Sequence, residues 1–318
     1  MTALLRLVGR RLLALPPMVL GITLLVFVVI QFAPNDPAYN ALGEGASEQA
    51  REAFREEHGL NDPLLVQYGR FLLGLVQGDL GVTTPPSRPV SELIGTAFPL
   101  TLQLTFLGLL IGAALALALG VLAALHRDRW PDQLIRFFSI GAVATPSFWL
   151  GILFIQWFAL PPNAILPSGG YVNPADSFVG WLESMALPAV ALAIPVSASL
   201  IRVVRTSMVE ELDRDYVRTA IGGGLPYRVV VARNVLRNAL VTPITVLGVK
   251  TGQLIGGAVI IEIIFTLPGM GQLILNGITS GDAALVQGTV LTIAVVFVVV
   301  NIVVDLLYLV VNPRIRTV

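Results

Sequence analysis

Six long apolar runs, almost free of charge, leave this chain few ways to fold. They lie roughly at Leu12–Phe32, Phe98–Leu125, Leu134–Leu160, Ser184–Val204, Val241–Phe265 and Leu285–Val311. Each is near or above the roughly 20 residues that a helix needs to cross a hydrocarbon core. A spanning segment must satisfy its own backbone hydrogen bonds in lipid, which makes each run a helix and the fold class all-α, a polytopic membrane protein with six transmembrane helices. Prolines at 146, 188, 195 and 243 are expected to bend several of them. The composition excludes a soluble enzyme: 55% of the 318 residues are hydrophobic and only 13% charged. There is no cysteine, and His58 and His126 stand far apart in sequence, so no metal site is expected.

Charge sets the topology. Arg6, Arg10 and Arg11 precede the first run, Arg127, Arg129 and Arg136 follow the second, seven arginines run from Arg202 to Arg237, and Arg314 and Arg316 follow the sixth. The alternate connections, Pro161–Glu183 and Thr266–Ala284, hold no Lys or Arg, and the segment 33–97 sets four arginines against nine acids. The positive-inside rule then puts both termini and the stretch around Arg214–Leu240 in the cytoplasm. Arg10-Arg11 before an apolar run also resembles an export signal, but the run is of span length and no small-x-small cleavage site follows, so an uncleaved first helix is expected.

The organisation expected is a cytoplasmic end with the first helix over 1–32, an extracytoplasmic helical cap over 33–97, a transmembrane core over 98–311 with a cytoplasmic segment at 205–240, and a cytoplasmic tail at 312–318. In the cap, Ser47 and Gly59 bracket one helix, and Leu64, Tyr68, Phe71 and Leu75 share a face of a second.

No nucleotide-binding loop is present; "GVKT" at Gly248–Thr251 lacks the upstream glycine and lies in an apolar run. Ionisable residues inside spans are functional candidates, and three exist: Lys250, Glu262 and Asp305. Lys250 and Glu262 stand about 18 Å apart along one helix, too far to pair. Lys250 reads as a snorkelling residue or a pore-lining charge, Glu262 as a structural partner at the end of its span, and Asn301 with Asp305 as a helix-packing polar pair.

The stretch "LIRVVRTSMVEELDRDYVRTAIGGGLPYRVVVARNVLRNALVTP" carries the long basic segment. A short helix is expected over Asp215–Ile221, stopped by Gly222-Gly223-Gly224. A second follows Pro226, with Val229, Ala232, Leu236 and Leu240 on one stripe and Arg228, Arg233 and Arg237 elsewhere. Such a segment can meet anionic lipid headgroups or dock a cytosolic partner; interleaved Glu210, Glu211, Asp213 and Asp215 argue against nucleic acid.

"DYVRTA" followed by "GL" and "RNAL" resembles the cytoplasmic signature of bacterial ABC-importer permeases of the dipeptide/oligopeptide/nickel branch. The likeness continues in "RRLLALPPMVLGITLLVFVVIQFAPNDPA", "PLLVQY", "GDLG", "TPSFWLGI", "GGAVIIEIIFTLPGMGQLI" and "NIVVDLLYLVVNPRIR". It implies a type I importer permease in the bacterial inner membrane. The expected partners are a second homologous permease, usually a different chain, two ATP-binding subunits that hold the ATP and magnesium, an extracytoplasmic substrate-binding protein, and membrane lipids. It also implies that this chain is no enzyme and carries no cofactor. Asp215, Tyr216, Arg218, Thr219, Ala220, Gly224 and Leu225 match the ATPase-coupling motif, and Arg237, Asn238 and Ala239 its tail. Ile221-Gly222-Gly223 departs from the family's basic, small, basic run. An ion-coupled secondary carrier is the rival reading.

Overall fold

A computed structural model describes residues 2–31, 36–84, 87–162 and 164–311. The tail at 312–318, with Arg314 and Arg316, and the Asp305 side chain lie outside the described residues. Fourteen α-helical elements follow one another in this part of the chain. They are α1 (Thr2–Gln31), α2 (Pro37–Leu42), α3 (Glu48–Glu57), α4 (Leu64–Val76), α5 (Val90–Leu125), α6 (Trp130–Ala144), α7 (Ser147–Phe154), α8 (Phe178–Leu212), α9 (Asp215–Gly222), α10 (Tyr227–Val229), α11 (Leu236–Ala239), α12 (Val241–Ile264), α13 (Met270–Ser280) and α14 (Ala283–Val311). Wide π turns lie at Ile155–Ala159 and Val230–Val235.

By length and composition, α5, α8, α12 and residues 283–304 of α14 can cross a membrane. The expected third span is a broken pair, α6 and α7, bent by 101°, and would make a fifth. The break follows from Pro146: it has no N–H to donate, and it drives Thr145 into extended backbone (ψ 123°). The expected first span lies in α1, whose apolar helix Pro16–Gln31 is shorter than the roughly 20 residues that cross a hydrocarbon core. Six spans are the sequence's expectation; among the described residues, four helices, or five with the bent pair, are long and apolar enough to cross. Pro188 and Pro195, expected to bend their span, sit within a helix that continues through both.

The chain divides into two compact units. One holds Leu102–Leu267 with Met1–Leu4 and Val299–Val318. Its centre is α8, whose Leu187, Ala189, Ala191, Leu192, Ala193, Leu200, Ile201 and Val204 are buried. Alpha-5 approaches it along small residues four apart, Gly108, Gly112, Ala116 and Gly120. A methyl added at Gly120 would stand 2.7 Å from Val204 Cβ, so the backbones touch only because that position lacks a side chain.

The other unit holds Leu5–Thr101 and Pro268–Val298. Its apolar core joins Val90, Ile94 and Ala97 of α5 to Met270 of α13 and Leu285 of α14. Asp282, buried, accepts from the Leu285 amide (2.9 Å) at the start of α14 and from the amide (2.8 Å) and hydroxyl of Thr84, which pins the connector before α5. Alpha-13 lies within the connection Thr266–Ala284; Gly281, left-handed at φ 66°, ends it.

Candidate functional site

The site lies between α8 and α12. Alpha-8 ends at Leu212, and Arg127 Nη1 donates to Asp213 Oδ2 at 2.8 Å, tying the turn after α5 to that end. Alpha-9 then covers Asp215–Gly222, matching the short helix expected from sequence. It closes in a Schellman motif: Leu225 N donates to Ala220 O (3.2 Å), Gly224 N donates to Ile221 O (3.0 Å), and Gly224 takes φ 87°. Pro226 turns the chain into α10.

The second helix differs from its expected register. Val230, Val231, Val235 and Ala239 are buried, whereas Val229 and Ala232 are exposed and Leu236 and Leu240 are half-buried. The cause is the π turn: one extra residue per turn places Val230 and Val235 five apart on the same face, after which Val235 and Ala239 resume the four-residue step. Three consecutive β-branched valines resist a tight helix. The inward face joins Val217 of α9, Val204 and Met208 of α8 and Ala124 of α5 in one apolar cluster.

The motif residues thereby separate. Tyr216 is held between elements: its hydroxyl donates to Glu211 Oε2 (2.8 Å) and accepts from Asn238 Nδ2 (3.4 Å), and burial pushes the phenol above its usual pKa. Ala220 packs against the cluster. Asp215, Arg218, Thr219, Gly224, Leu225 and Arg237 face outward with Ile221 and Tyr227. One side of the segment is an anchor, and the other is a mixed charged and apolar surface.

A second constellation in this unit was not read from sequence. Asp132, fully buried on α6, receives Arg205 of α8 in a two-point fork, Nε to Oδ1 at 2.5 Å and Nη2 to Oδ2 at 2.6 Å. Asp128 N also donates to it (2.9 Å), and Arg136 approaches at 3.6 Å. Arg205 thus serves as a strut rather than as one more solvated arginine. The local signal, an acid in the first turn behind Pro131, names no partner 73 residues away.

Of the intramembrane candidates, Lys250 and Glu262 both lie on α12, about 18 Å apart along its axis. Lys250 Nζ donates to Gln253 Oε1 at 2.9 Å, one turn along α12. Glu262 is fully buried near the end of that helix, and its carbonyl accepts from Leu267 N. Asn301 is half-buried on α14. Among the described residues, no group of three or more His, Cys, Asp or Glu is arranged to hold a metal.

Known proteins share both sequence and architecture with this chain. Residues 116–317 match the family described as binding-protein-dependent transport system inner membrane component, and residues 4–105 match its N-terminal companion family. A Brucella abortus (strain 2308) protein bearing a peptide transport system permease name is 40% identical over 94% of this chain and 95% of its own length. The dipeptide transport system permease protein of Alkalihalophilus pseudofirmus is 35% identical over 96% of this chain and 98% of its own. A solved inward-facing structure of the MetNI methionine ABC transporter covers 70% of this chain and 97% of its own, with TM-score 0.54 and 16% identity, a likeness of fold. The class is therefore a helical permease with the ABC-importer fold. Within it, the chain belongs to the family of binding-protein-dependent transport system inner membrane components.

Proposed function

We propose that this chain is one pore-forming half of an ATP-driven importer that carries peptides or similar small solutes, delivered by an extracytoplasmic binding protein. The observation that carries the reading is the loop from Asp215 to Ala239, which exposes one face of a short helix while an apolar seat holds the other. The names of its relatives, permeases of peptide and dipeptide transport systems, supply the substrate class.

In this reading Asp215, Arg218, Thr219, Gly224, Leu225 and Arg237 meet an ATPase subunit, while Tyr216, Ala220 and Asn238 keep that surface fixed to α8. ATP and magnesium sit on two partner ATPases, a second homologous permease completes the pore, and lipid surrounds the spans. Both termini face the cytoplasm, and 33–97 faces outward to the binding protein. When the ATPases close, a pull on α9 reaches α8 through Val217, Val204 and Met208, and reaches α12 through α11. Packed apolar contacts shift as a unit, so the loop can bias the spans between two arrangements.

Deleting Asp215–Leu225 should abolish co-purification of the ATPase and solute uptake together. An ion-coupled carrier has no support among the relatives; uptake by the isolated chain under an ion gradient, without ATP, would reverse that judgement.

A further inference from the structure

The segment 33–97 reads from sequence as a cap in water, yet α4 has two apolar faces. One carries Tyr68, Phe71 and Leu75, half-buried, three of the four residues expected on one face; the fourth, Leu64, is exposed at the start of the helix. Tyr68 lies against α1: its ring centroid is 5.4 Å from that of Phe27, and its hydroxyl stands 3.0 Å from Thr23 Oγ1 and donates to Leu20 O at 3.1 Å. Gln31 Nε2 donates to Gln67 Oε1 at 3.2 Å. These partners run from the Gln31 end of α1 to about three turns inside it. They belong to the apolar helix Pro16–Gln31, where Leu24, Leu25, Val28 and Val29 are themselves exposed.

The second face carries Leu65, Leu73 and Val76, on one stripe at steps of eight and three, with Val66 at its edge. Leu65 is 85% exposed, Leu73 65% and Val76 87%. For a helix standing in water this face would be an uncompensated cost of about 1.5–3 kcal/mol for each large side chain. Alpha-4 is 13 residues long, about 20 Å, too short to cross a bilayer. Polar residues bracket it, Asn61 and Asp62 before and Gln77 and Asp79 after.

We infer that α4 is an interfacial helix: its second face beds into the lipid leaflet at the Gln31 end of α1. The occupant is acyl chain rather than another protein, because α4 packs on an apolar helix, Pro16–Gln31, that itself exposes Leu24, Leu25, Val28 and Val29, and because polar residues bracket α4 at both ends as at a membrane boundary. The inference rests on α1 being a transmembrane helix, and it is independent of what the permease transports.

The chain has no cysteine, so single-cysteine variants need no prior engineering. Spin labels at Leu65→Cys, Leu73→Cys and Val76→Cys, in the full-length permease reconstituted in phosphatidylcholine–phosphatidylglycerol vesicles, should collide with oxygen several-fold more than with a water-soluble nickel chelate. A label at Glu57→Cys, on α3, should show the reverse ratio, and one at Leu25→Cys of α1 should match the stripe. Chelate access at the stripe equal to that at position 57, with position 25 still lipid-like, would overturn the proposal. Shielding of all three stripe positions from both reagents would overturn it too, by showing a protein cover. A chelate-accessible label at position 25 would sink the underlying reading of α1 instead.

Discussion

The segment α2–α4 and the loop α9–α11 are both short helices outside the main spans, but they are held by different forces. No residue of α3 or α4 is fully buried, and charge organises α2 and α3: Arg55 reaches Asp36, Glu48 and Glu52, while Arg51 lies 4.7 Å above the Tyr39 ring. The α9–α11 loop instead sinks Val217, Val230, Val235 and Ala239 into a core shared with α8. Exposed ion pairs are weak and screened, each worth about 0–1 kcal/mol, and they re-form readily after a shift. A buried apolar seat is stiff, because any displacement opens cavities. The loop proposed to couple to an ATPase is thus packed, whereas α2 and α3 are pinned by charge and α4 by the uncharged contacts of Tyr68 with α1.

The sharpest way to break that comparison is to remove a buried contact from the stiff side. Arg205→Met leaves the buried Asp132 carboxylate with only the Asp128 amide and the more distant Arg136, and should cost about 3 kcal/mol. Thermal denaturation of the detergent-solubilised permease reads this as a large fall in midpoint, and adding Asp132→Leu should restore most of it. An unchanged midpoint in the single variant would mean that the pair contributes no more than a surface pair. Next, Met208→Ala should cost about 2–5 kcal/mol through the cavity it opens and raise amide exchange in α9. Leu42→Ala, at the 39%-exposed end of α2, should stay within about 0.5 kcal/mol. Equal losses from the two truncations would erase the distinction.

Much of this was legible in the sequence, for local reasons. Apolar runs give α5, α8, α12 and α14 because length and hydropathy decide a span, and the triple glycine before Pro226 gives the end of α9. Other features obey rules that a fixed period does not carry. A 3.6-residue period puts Val229, Ala232, Leu236 and Leu240 on one stripe, whereas the π turn buries Val230, Val231, Val235 and Ala239. Thr145-Pro146 was read as a bend and is a break. The second face of α4 is not legible as amphipathy, because a helix apolar on two faces shows no single stripe. The Asp132–Arg205 fork offers only an acid in the first turn of α6 as a local signal, since the packing of α6 on α8 is what brings the two together.

Removing the charge-built cap contact should have a smaller effect. Asp36 caps α2 by accepting from Ala38 N at 3.0 Å and is gripped by Arg55, so Asp36→Ala should cost about 1 kcal/mol. The hydrogen bond from Arg55 holds the Asp36 carboxyl below its usual range. Its stabilisation is therefore present above the ordinary aspartate pKa, about 3.9, and is lost as pH falls through the depressed folded value. Tyr216 has the opposite sign. Burial raises its pKa, so its contribution is present below about 10 and is lost as pH rises through the raised value. A spin label at Glu57→Cys should gain mobility in acid, and one at Arg218→Cys in alkali. Loosening of both labels at the same extreme would contradict the separate origins of the two segments' order.

The smallest effect is expected at Gly222, set against its neighbour Gly224, and it sharpens what stiffness requires. Gly224 has φ 87° at the close of the Schellman motif, so Gly224→Ala must strain the backbone, at about 1 kcal/mol or more. Gly222 is the last residue of α9, and a methyl built there meets nothing within 4 Å. Gly222→Ala should therefore be neutral or stabilising by about 0.4–1 kcal/mol, because it restricts the unfolded chain without disturbing the folded one. If the departure at 221–223 only tolerates flexibility, the Gly222→Ala permease should hold its ATPase as tightly as the parent, whereas Gly224→Ala should hold it less well. The readout is the fraction of ATPase retained on the purified permease. Loss of ATPase from Gly222→Ala with an unchanged denaturation midpoint would mean that the partner needs bare backbone at that position, since the free chain has room for the added methyl.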